Sequence, residues 1–295
     1  MPKNKVQFQK GLSLPAFLSQ YGKEEQCRDQ FFQWRWPDGF ECPLCRCKEH
    51  CTLKRRELFQ CNRCHHQTSL TTGTIMESTK LPFTTWFLAM YLMTQTKNGI
   101  SALELSRQLG ISYNATWRLK HKLMQVMKER DDSSPLHGYV QVDDAYWGGE
   151  KHGGKPGRGS ENKHPFVAAV ETNEENHPLS MRFSMVTSFR KEELELWAKK
   201  HLSSQTQLVI SDGLGAFIGI ANAGHLHKAV VTGGGHASMS NELFTWVNTM
   251  IGNVKNSLRG SYHSINPKHL PRYLAEFCYR FNRRFDMGAM ISRLG

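Results

Sequence analysis

The sequence has no apolar run approaching the roughly 20 residues that a membrane-spanning helix needs, so no stretch of it reads as a span. Its opening stretch, MPKNKVQFQKGLSLPAF, carries basic residues without a continuous apolar core, and so does not read as a secretory signal. There is no internal repeat and no long low-complexity tract, which sets aside repeat arrays and fibrous chains. Acidic residues are in deficit. The 26 Asp and Glu stand against 38 Lys and Arg, for a formal charge of +12, a balance that favours an anionic partner, most often nucleic acid. Hydrophobic residues make up 39%, enough for a packed core and too many for wholesale disorder. A length of 295 residues accommodates one large domain or two to three smaller ones.

Cysteine is concentrated. Of eight, six fall between positions 42 and 64, which argues for metal binding over disulfides in a long chain of this kind. Cys42-Pro-Leu-Cys45 is followed, after fifteen intervening residues, by Cys61-Asn-Arg-Cys64. Two such knuckles present four thiolates to one tetrahedral Zn²⁺, and the Glu57-Leu58-Phe59-Gln60 run suits a short strand leading into the second. Cys42, Cys45, Cys61 and Cys64 are therefore expected to hold a structural zinc ion in a zinc ribbon. Cys47 is too close to Cys45 to share a normal knuckle, and it reads with Cys51 as a bystander. His65 and His66 read as surface residues, and Cys27 and Cys278 as core thiols in apolar helices.

Around the ribbon, residues 14–36 read as helical up to the break at Pro37-Asp38-Gly39, and 81–130 read as two or three helices. Within 99–129, Ser101 stands three residues before Glu104 in capping-box spacing, Gly110-Ile111-Ser112 makes a turn, and a second helix follows. This helix, glycine turn and helix have the form of a DNA-binding helix-turn-helix. The segment 97–130 holds seven Lys and Arg against two Glu. Tyr113, Asn114, Thr116, Arg118, Lys120 and Lys122, with Ser112, are the candidates to meet double-stranded DNA. Asp131–Pro135 reads as a polar linker.

From Tyr139 the pattern changes. YVQVDDAYW, HPFVAAVET and SMRFSMVT read as strands, EELELWAKKHL as an amphipathic helix, and LVIS as a buried strand ending at Asp212. HKAVVT is a further strand before a long helix over 240–258. Three strands, a helix, a strand with a terminal Asp and a later helix are the order of a ribonuclease-H-like fold. The fold class is thus α/β, a ribonuclease-H-like mixed sheet with helices, preceded by the small ribbon and the helical helix-turn-helix region. On such a sheet an Asp in the first strand lies beside one at the end of the fourth, and a helix brings a third ligand. Carboxylates so placed hold two Mg²⁺ ions for phosphodiester chemistry, which needs hard cations and oxygen ligands. Taken alone, Asp143, Asp144 and Asp212 read equally well as surface or turn carboxylates.

These residues resemble a known family. Val142-Asp143-Asp144-Ala145-Tyr146-Trp147-Gly148-Gly149, then Ser211-Asp212-Gly213, then WVNTMIGNVKNSLRGSYH over 246–263, are similar to the insertion-sequence transposases numbered fifteen-ninety-five, with their Asp-Asp-Asn/Glu-Lys signature. TTGTIMESTKLPFTTWF over 71–87 resembles the segment after that family's zinc ribbon. The resemblance covers about residues 15–285. It implies a DNA transposase of the bacterial cytoplasm, associated with the nucleoid. Such an enzyme binds an element's terminal inverted repeats, cleaves with Mg²⁺ or Mn²⁺, joins the 3′-OH to target DNA, and assembles as a homo-oligomer on DNA. It implies Asp143 as first metal ligand, Asp212 as second, Asn248 as third, and Lys255 on a phosphate near the scissile bond. Asp144 occupies the neighbouring position; adjacent strand residues face opposite ways, so only one of the two is expected at the metals. Asn248 and Lys255 are seven residues apart, two helical turns, and so share a face. Glu242 is a rival third ligand. Asn248 brings no charge, which keeps open a DNA-binding regulator or an inactive relic; a nuclease without strand joining is a third possibility.

The domains read as an N-terminal helical segment over 1–36, the ribbon over 37–70, the helix-turn-helix region over 80–131, the catalytic domain over 137–287 and a tail over 288–295. GGEKHGGKPGRGSENKH, over 148–164, lacks the G-K-[ST] ending of a phosphate loop and reads as a hairpin tip able to contact DNA. His236 and His263 read as either site or packing residues.

Overall fold

The computed structural model describes residues 11–149, 160, 162–231 and 242–294, so most of the glycine-rich stretch and His236 lie outside the described residues. The chain divides into two compact units. One comprises the described residues up to Val126 with those from Phe285 on; the other is Met127–Arg284.

The first unit opens with α1 (Leu14–Tyr21) and α2 (Glu24–Arg35). A three-stranded antiparallel sheet follows, β1 (His50–Leu53), β2 (Leu58–Cys61) and β3 (Gln67–Ser69), in that order. The sheet is too small to bury much on its own. Phe59 of β2 instead packs against Phe32, Trp36 and Phe40, ring to ring at 5.3–5.9 Å. Arg35 ties the end of α2 to β3 by donating to the carbonyls of Ser69 and Leu70 at 3.0 and 2.5 Å. Helices α3 (Phe83–Gln95), α4 (Ala102–Leu109) and α5 (Tyr113–Asp132) complete the unit, whose boundary falls within α5. Ser101 caps α4, its Oγ accepting the Glu104 N–H at 3.1 Å. Gly110 ends α4 in the left-handed region at φ 66°, where glycine carries no Cβ penalty. Met290, Ile291 and Leu294, in the stretch expected as a tail, are buried.

The second unit is built on a five-stranded mixed sheet of β4 (Leu136–Trp147), β5 (His164–Thr172), β6 (Pro178–Met185), β7 (Leu202–Ser211) and β8 (His227–Ala229). Its order is β6-β5-β4-β7-β8. β4, β5 and β6 pair antiparallel, whereas β4 with β7 and β7 with β8 pair parallel. Helix α6 (Lys191–His201) makes the crossover into β7, and α7 (Ile218–Asn222), α8 (Thr245–Ser261) and α9 (Leu270–Asn282) follow. Both faces are covered. Ala145, Phe166, Ala168, Met181 and Phe183 pack on Val247, Met250 and Val254 of α8 and Leu274 of α9. Val140, Val142, Val167, Ala169 and Val209 pack on Leu194 and Trp197 of α6 and Ile220 of α7. Double coverage explains why Phe166–Val170 is a continuous apolar run. Gly148, after Trp147, sits at φ 109°, and a Cβ there would meet the Asn162 carbonyl at 1.8 Å. That contact accounts for the first glycine of the Trp-Gly-Gly motif.

The stretch expected as a polar linker is different. Helix α5 runs on to Asp132, and Asp131 is buried. Asp131 pairs with Arg283 at 2.5 Å, its carbonyl accepts from Arg182, and Asp132 pairs with Arg182 at 3.0 Å. Two aspartates that composition assigns to solvent are held by arginines 50 and 152 positions away.

Candidate metal centres and nucleic-acid surface

The two cysteine knuckles are built alike. In the first, the Cys42 N–H donates to the Cys47 carbonyl and the Arg46 N–H to the Cys42 carbonyl, at 3.0 and 2.9 Å. In the second, the Cys61 N–H donates to the His66 carbonyl and the His65 N–H to the Cys61 carbonyl, both at 3.0 Å. Arg46 and His65 occupy equivalent left-handed positions, at φ 58° and 57°. The four sulfurs of Cys42, Cys45, Cys61 and Cys64 lie within 4.8 Å of one another, with Cys42–Cys64 and Cys45–Cys61 at 3.5 Å. Those separations are far beyond a disulfide and close to the roughly 3.8 Å edge of a tetrahedron with Zn–S near 2.3 Å. The Cys64 backbone N–H, helped by that of Arg63, brings the Cys61 thiol down to about 6 against the opposing effect of burial. The donor set fits structural zinc. Cys47 instead points its sulfur towards the Glu49 carbonyl at 3.9 Å, Cys51 is exposed, and Cys27 and Cys278 are buried, as their apolar helical surroundings predict.

The second cluster sits at the end of β7. The last β4–β7 rung pairs Val142 with Ser211, so Asp143 and Asp212 are the next residues on adjacent parallel strands. Asp143, Asp144 and Asp212 bring carboxylate oxygens within 4.8 Å of one another. Strand alternation puts only one of Asp143 and Asp144 at the metals, and this is corrected: both carboxylates join the cluster. Asp143 Oδ1 accepts the Asp144 N–H at 2.8 Å, so the Asp143 side chain leans along its own strand and not squarely off it. Past the last β7 rung both short side chains reach the same open edge. Asp212 is itself held in a turn, its Oδ1 accepting the Leu214 N–H at 3.1 Å. Octahedral Mg²⁺ with oxygens at about 2.1 Å spans ligand pairs up to roughly 4.2 Å, so the three carboxylates fit such an ion after small adjustments.

Helix α8 supplies the cation. Lys255 is half-buried; burial and then Arg259 lower its pKa, while Asp143 and Asp144 act in the opposite sense. Asn248 is also half-buried and borders the same buried stripe of Val247, Met250, Val254 and Leu258, as a two-turn spacing requires. Glu242 is exposed in a short 3₁₀ turn ahead of α8 and does not join the carboxylates. His263 is exposed.

The helix-turn-helix candidates separate by burial. Tyr113, Asn114 and Arg118 are exposed. Thr116 and Lys120, expected at the DNA, are instead enclosed at 0% and 1% exposure, and neither side chain reaches the surface. Thr116 Oγ1 donates to the Ser112 carbonyl at 3.0 Å, a helix-internal bond. Lys122 is exposed but donates to the Ile75 and Glu77 carbonyls at 2.8 and 3.4 Å. Periodicity leaves these faces ambiguous because α5 is buried over a wide arc that includes Leu119, His121, Leu123 and Met124.

Three features escape a reading of the sequence. Gln141, buried two residues before Asp143, bonds the start of α8. Ser211 Oγ lies 2.8 Å from His227 Nε2, joining β7 to β8 just before Asp212. Tyr262, in the Gly-Ser-Tyr-His block, donates to Glu276 at 3.4 Å and packs edge-on against Tyr273 at 4.7 Å, tying the end of α8 to α9. Burial, more than the neighbouring Glu276, raises its hydroxyl pKa.

Residues 135–282 match the ISXO2-like transposase domain, and residues 22–67 match the transposase zinc-ribbon domain. No curated protein matches the chain. Among solved structures, the Mos1 strand transfer complex is similar at 11% identity, over 68% of this chain and 76% of that one, with a TM-score of 0.26. A pre-cleavage Mos1 transpososome is similar at 10% identity, over 68% and 77%, with a TM-score of 0.22. The Mos1 transposase paired-end complex with left transposon end is similar at 11% identity, over 68% and 77%, with a TM-score of 0.21. These structural likenesses are weak, whereas the transposase-domain match spans half the sequence: the chain belongs to the ISXO2-like insertion-sequence transposases, the family numbered fifteen-ninety-five.

Proposed function

We propose that this transposase binds the terminal inverted repeats of an insertion sequence, hydrolyses a strand at the element's end and joins the freed 3′-OH to target DNA. The observation that carries this reading is the meeting of three carboxylates, Asp143, Asp144 and Asp212, where β4 runs past the end of β7. A sheet order of β6-β5-β4-β7-β8, antiparallel on one side and parallel on the other, supports a ribonuclease-H-like catalytic domain. In this reading Asp143 and Asp212 hold Mg²⁺ or Mn²⁺, and the Asn248 amide oxygen is the third ligand. Asp144 supplies the negative charge that Asn248 does not bring. Divalent ions held by these residues would supply the positive charge that activates a water or 3′-OH and stabilises the leaving oxygen. Lys255 holds a phosphate near the scissile bond, with its orientation set by α8. Tyr113, Asn114 and Arg118 contact the terminal repeat, and zinc on the four cysteines holds the ribbon folded. Two element ends must be paired, so the working form is a homo-oligomer on DNA.

The test is a strand-transfer assay with Mg²⁺ or Mn²⁺ and terminal-repeat DNA. Wild type is expected to cleave and join, and Asp143→Asn and Asp212→Ala to fall to background while still binding the repeat. Equal cleavage by wild type and Asp212→Ala overturns the catalytic reading. The neutral amide at Asn248 favours one other reading, a DNA-binding relic; end binding without any cleavage in Mn²⁺ would establish it.

A further inference from the structure

We infer that Gln141 is a positioning residue that fixes α8, and with it Asn248 and Lys255, against the carboxylates; this rests on the metal-dependent reading above. Gln141 lies in β4 two residues before Asp143, hence on the same face and about 6.6 Å along the strand. Its side chain is buried at 4% exposure. The Oε1 atom accepts the N–H groups of Trp246 and Val247, both at 3.1 Å. The Nε2 group donates to Asn176 Oδ1 at 3.0 Å, and the Asn176 carbonyl accepts from the Trp246 indole. Asn176, in the β5–β6 hairpin, is held in the left-handed region at φ 58°.

The first N–H groups of a helix have no partner within it, and a residue at the N-cap normally supplies one. Helix α8 has Phe244 there, with no oxygen to offer, and makes no side-chain cap of its own. A strand side chain does the capping instead. The strand that carries Asp143 is thereby bonded to the turn that leads directly into Asn248. A slide of α8 along the sheet, or a rotation about its axis, breaks both bonds and leaves buried N–H groups unpaired. Lys255 is two turns further on the same shoulder, so the same two bonds set its approach to Asp143 and Asp144. The acceptor oxygen makes the cap, and the amide nitrogen adds the bond to Asn176 Oδ1; a glutamate keeps the first and loses the second.

The test compares wild type with Gln141→Met, which keeps the volume and removes both polar ends, and Gln141→Glu, which keeps the cap. Amide hydrogen exchange over 244–250, Mn²⁺ affinity and strand joining are measured on the zinc-loaded full chain. In Gln141→Met, exchange rises at Trp246 and Val247 while β4 and β7 stay protected. The Mn²⁺ needed for half-maximal binding, and the rate at saturating Mn²⁺, each worsen by on the order of 10-fold. Gln141→Glu restores the exchange protection and most of the rate. Exchange that rises at 244–250 with unchanged Mn²⁺ affinity and rate overturns the inference, and so does a loss of protection spread over the whole sheet. If wild type joins no strands, the catalytic reading fails separately, and Mn²⁺ affinity still decides whether Gln141 positions the ligands.

Discussion

His201 ends α6 with its Nε2 3.5 Å from Ser184 Oγ, and among the described residues its buried Nδ1 meets no hydrogen-bond partner. Burial, and then the charges of Arg182 and Lys200, bring its pKa down to about 3, with Asp132 opposing. The folded protein therefore holds this imidazole neutral where the unfolded chain, near 6.5, takes up a proton. The contribution is constant above about pH 6.5, and stability is lost as pH falls from there towards 3. His201→Gln removes the titration and keeps a polar side chain. In urea unfolding, the stability difference between wild type and His201→Gln is expected to shift by about 3 kcal/mol between pH 7.5 and 4.5, against wild type. The zinc thiolates titrate in both proteins and cancel in the difference. Parallel pH curves would show that His201 is not the group responsible. At this scale the sequence was readable where chemistry and spacing are local, as in the four cysteines. It was not readable for Asp131, held by Arg283 152 positions away, nor for Thr116 and Lys120, which spacing alone leaves on either face of α5.

The same division governs the elements. Helix α4 carries both its signals within itself, Ser101 at the start and Gly110 at the end, and its limits followed from them. Alternation and apolar runs mark each strand of the second unit, β5 in full over His164–Thr172, but β7 begins six residues before the apolar run that marks it and β8 ends after Ala229. Helices α3 and α8 do not carry their own caps. Pro82 precedes α3 and caps nothing; Glu24 of α2 does so, accepting the Phe83 and Thr84 N–H groups at 2.7 and 2.9 Å. Gln141 serves α8 in the same way from 105 residues away. Such caps cannot be read from the residues flanking the helix. Glu24→Ala should cost about 1 kcal/mol, the usual worth of an N-cap, and Glu24→Gln about half of that because one acceptor remains. Thermal unfolding of the zinc-loaded protein measures both. A Glu24→Ala protein as stable as wild type would mean that solvent satisfies those N–H groups equally well.

Across the whole molecule, the net charge of +12 is the broadest statement the sequence makes about a partner, and burial decides which cations can act on it. A cation that neutralises a phosphate releases counterions, so affinity falls linearly with salt on logarithmic axes, and each lost contact flattens the slope by about one. Arg118 is exposed and is offered as such a contact. Lys120, two residues on, is enclosed, and Lys122 is engaged with the Ile75 and Glu77 carbonyls. Three neighbouring cations that look equivalent in composition are therefore expected to behave differently. Measured by fluorescence anisotropy on terminal-repeat DNA between 50 and 300 mM salt, over which the Debye length falls from roughly 14 to roughly 6 Å, Arg118→Ala should flatten the slope by about one. Lys122→Ala should leave the slope unchanged, since its ammonium is turned onto two backbone carbonyls and away from a phosphate. Lys120→Met should also leave the slope unchanged and act on stability alone. If Lys120→Met flattened the slope as Arg118→Ala does, the burial of that lysine would not describe the DNA-bound protein, and the face of α5 assigned to DNA would have to turn.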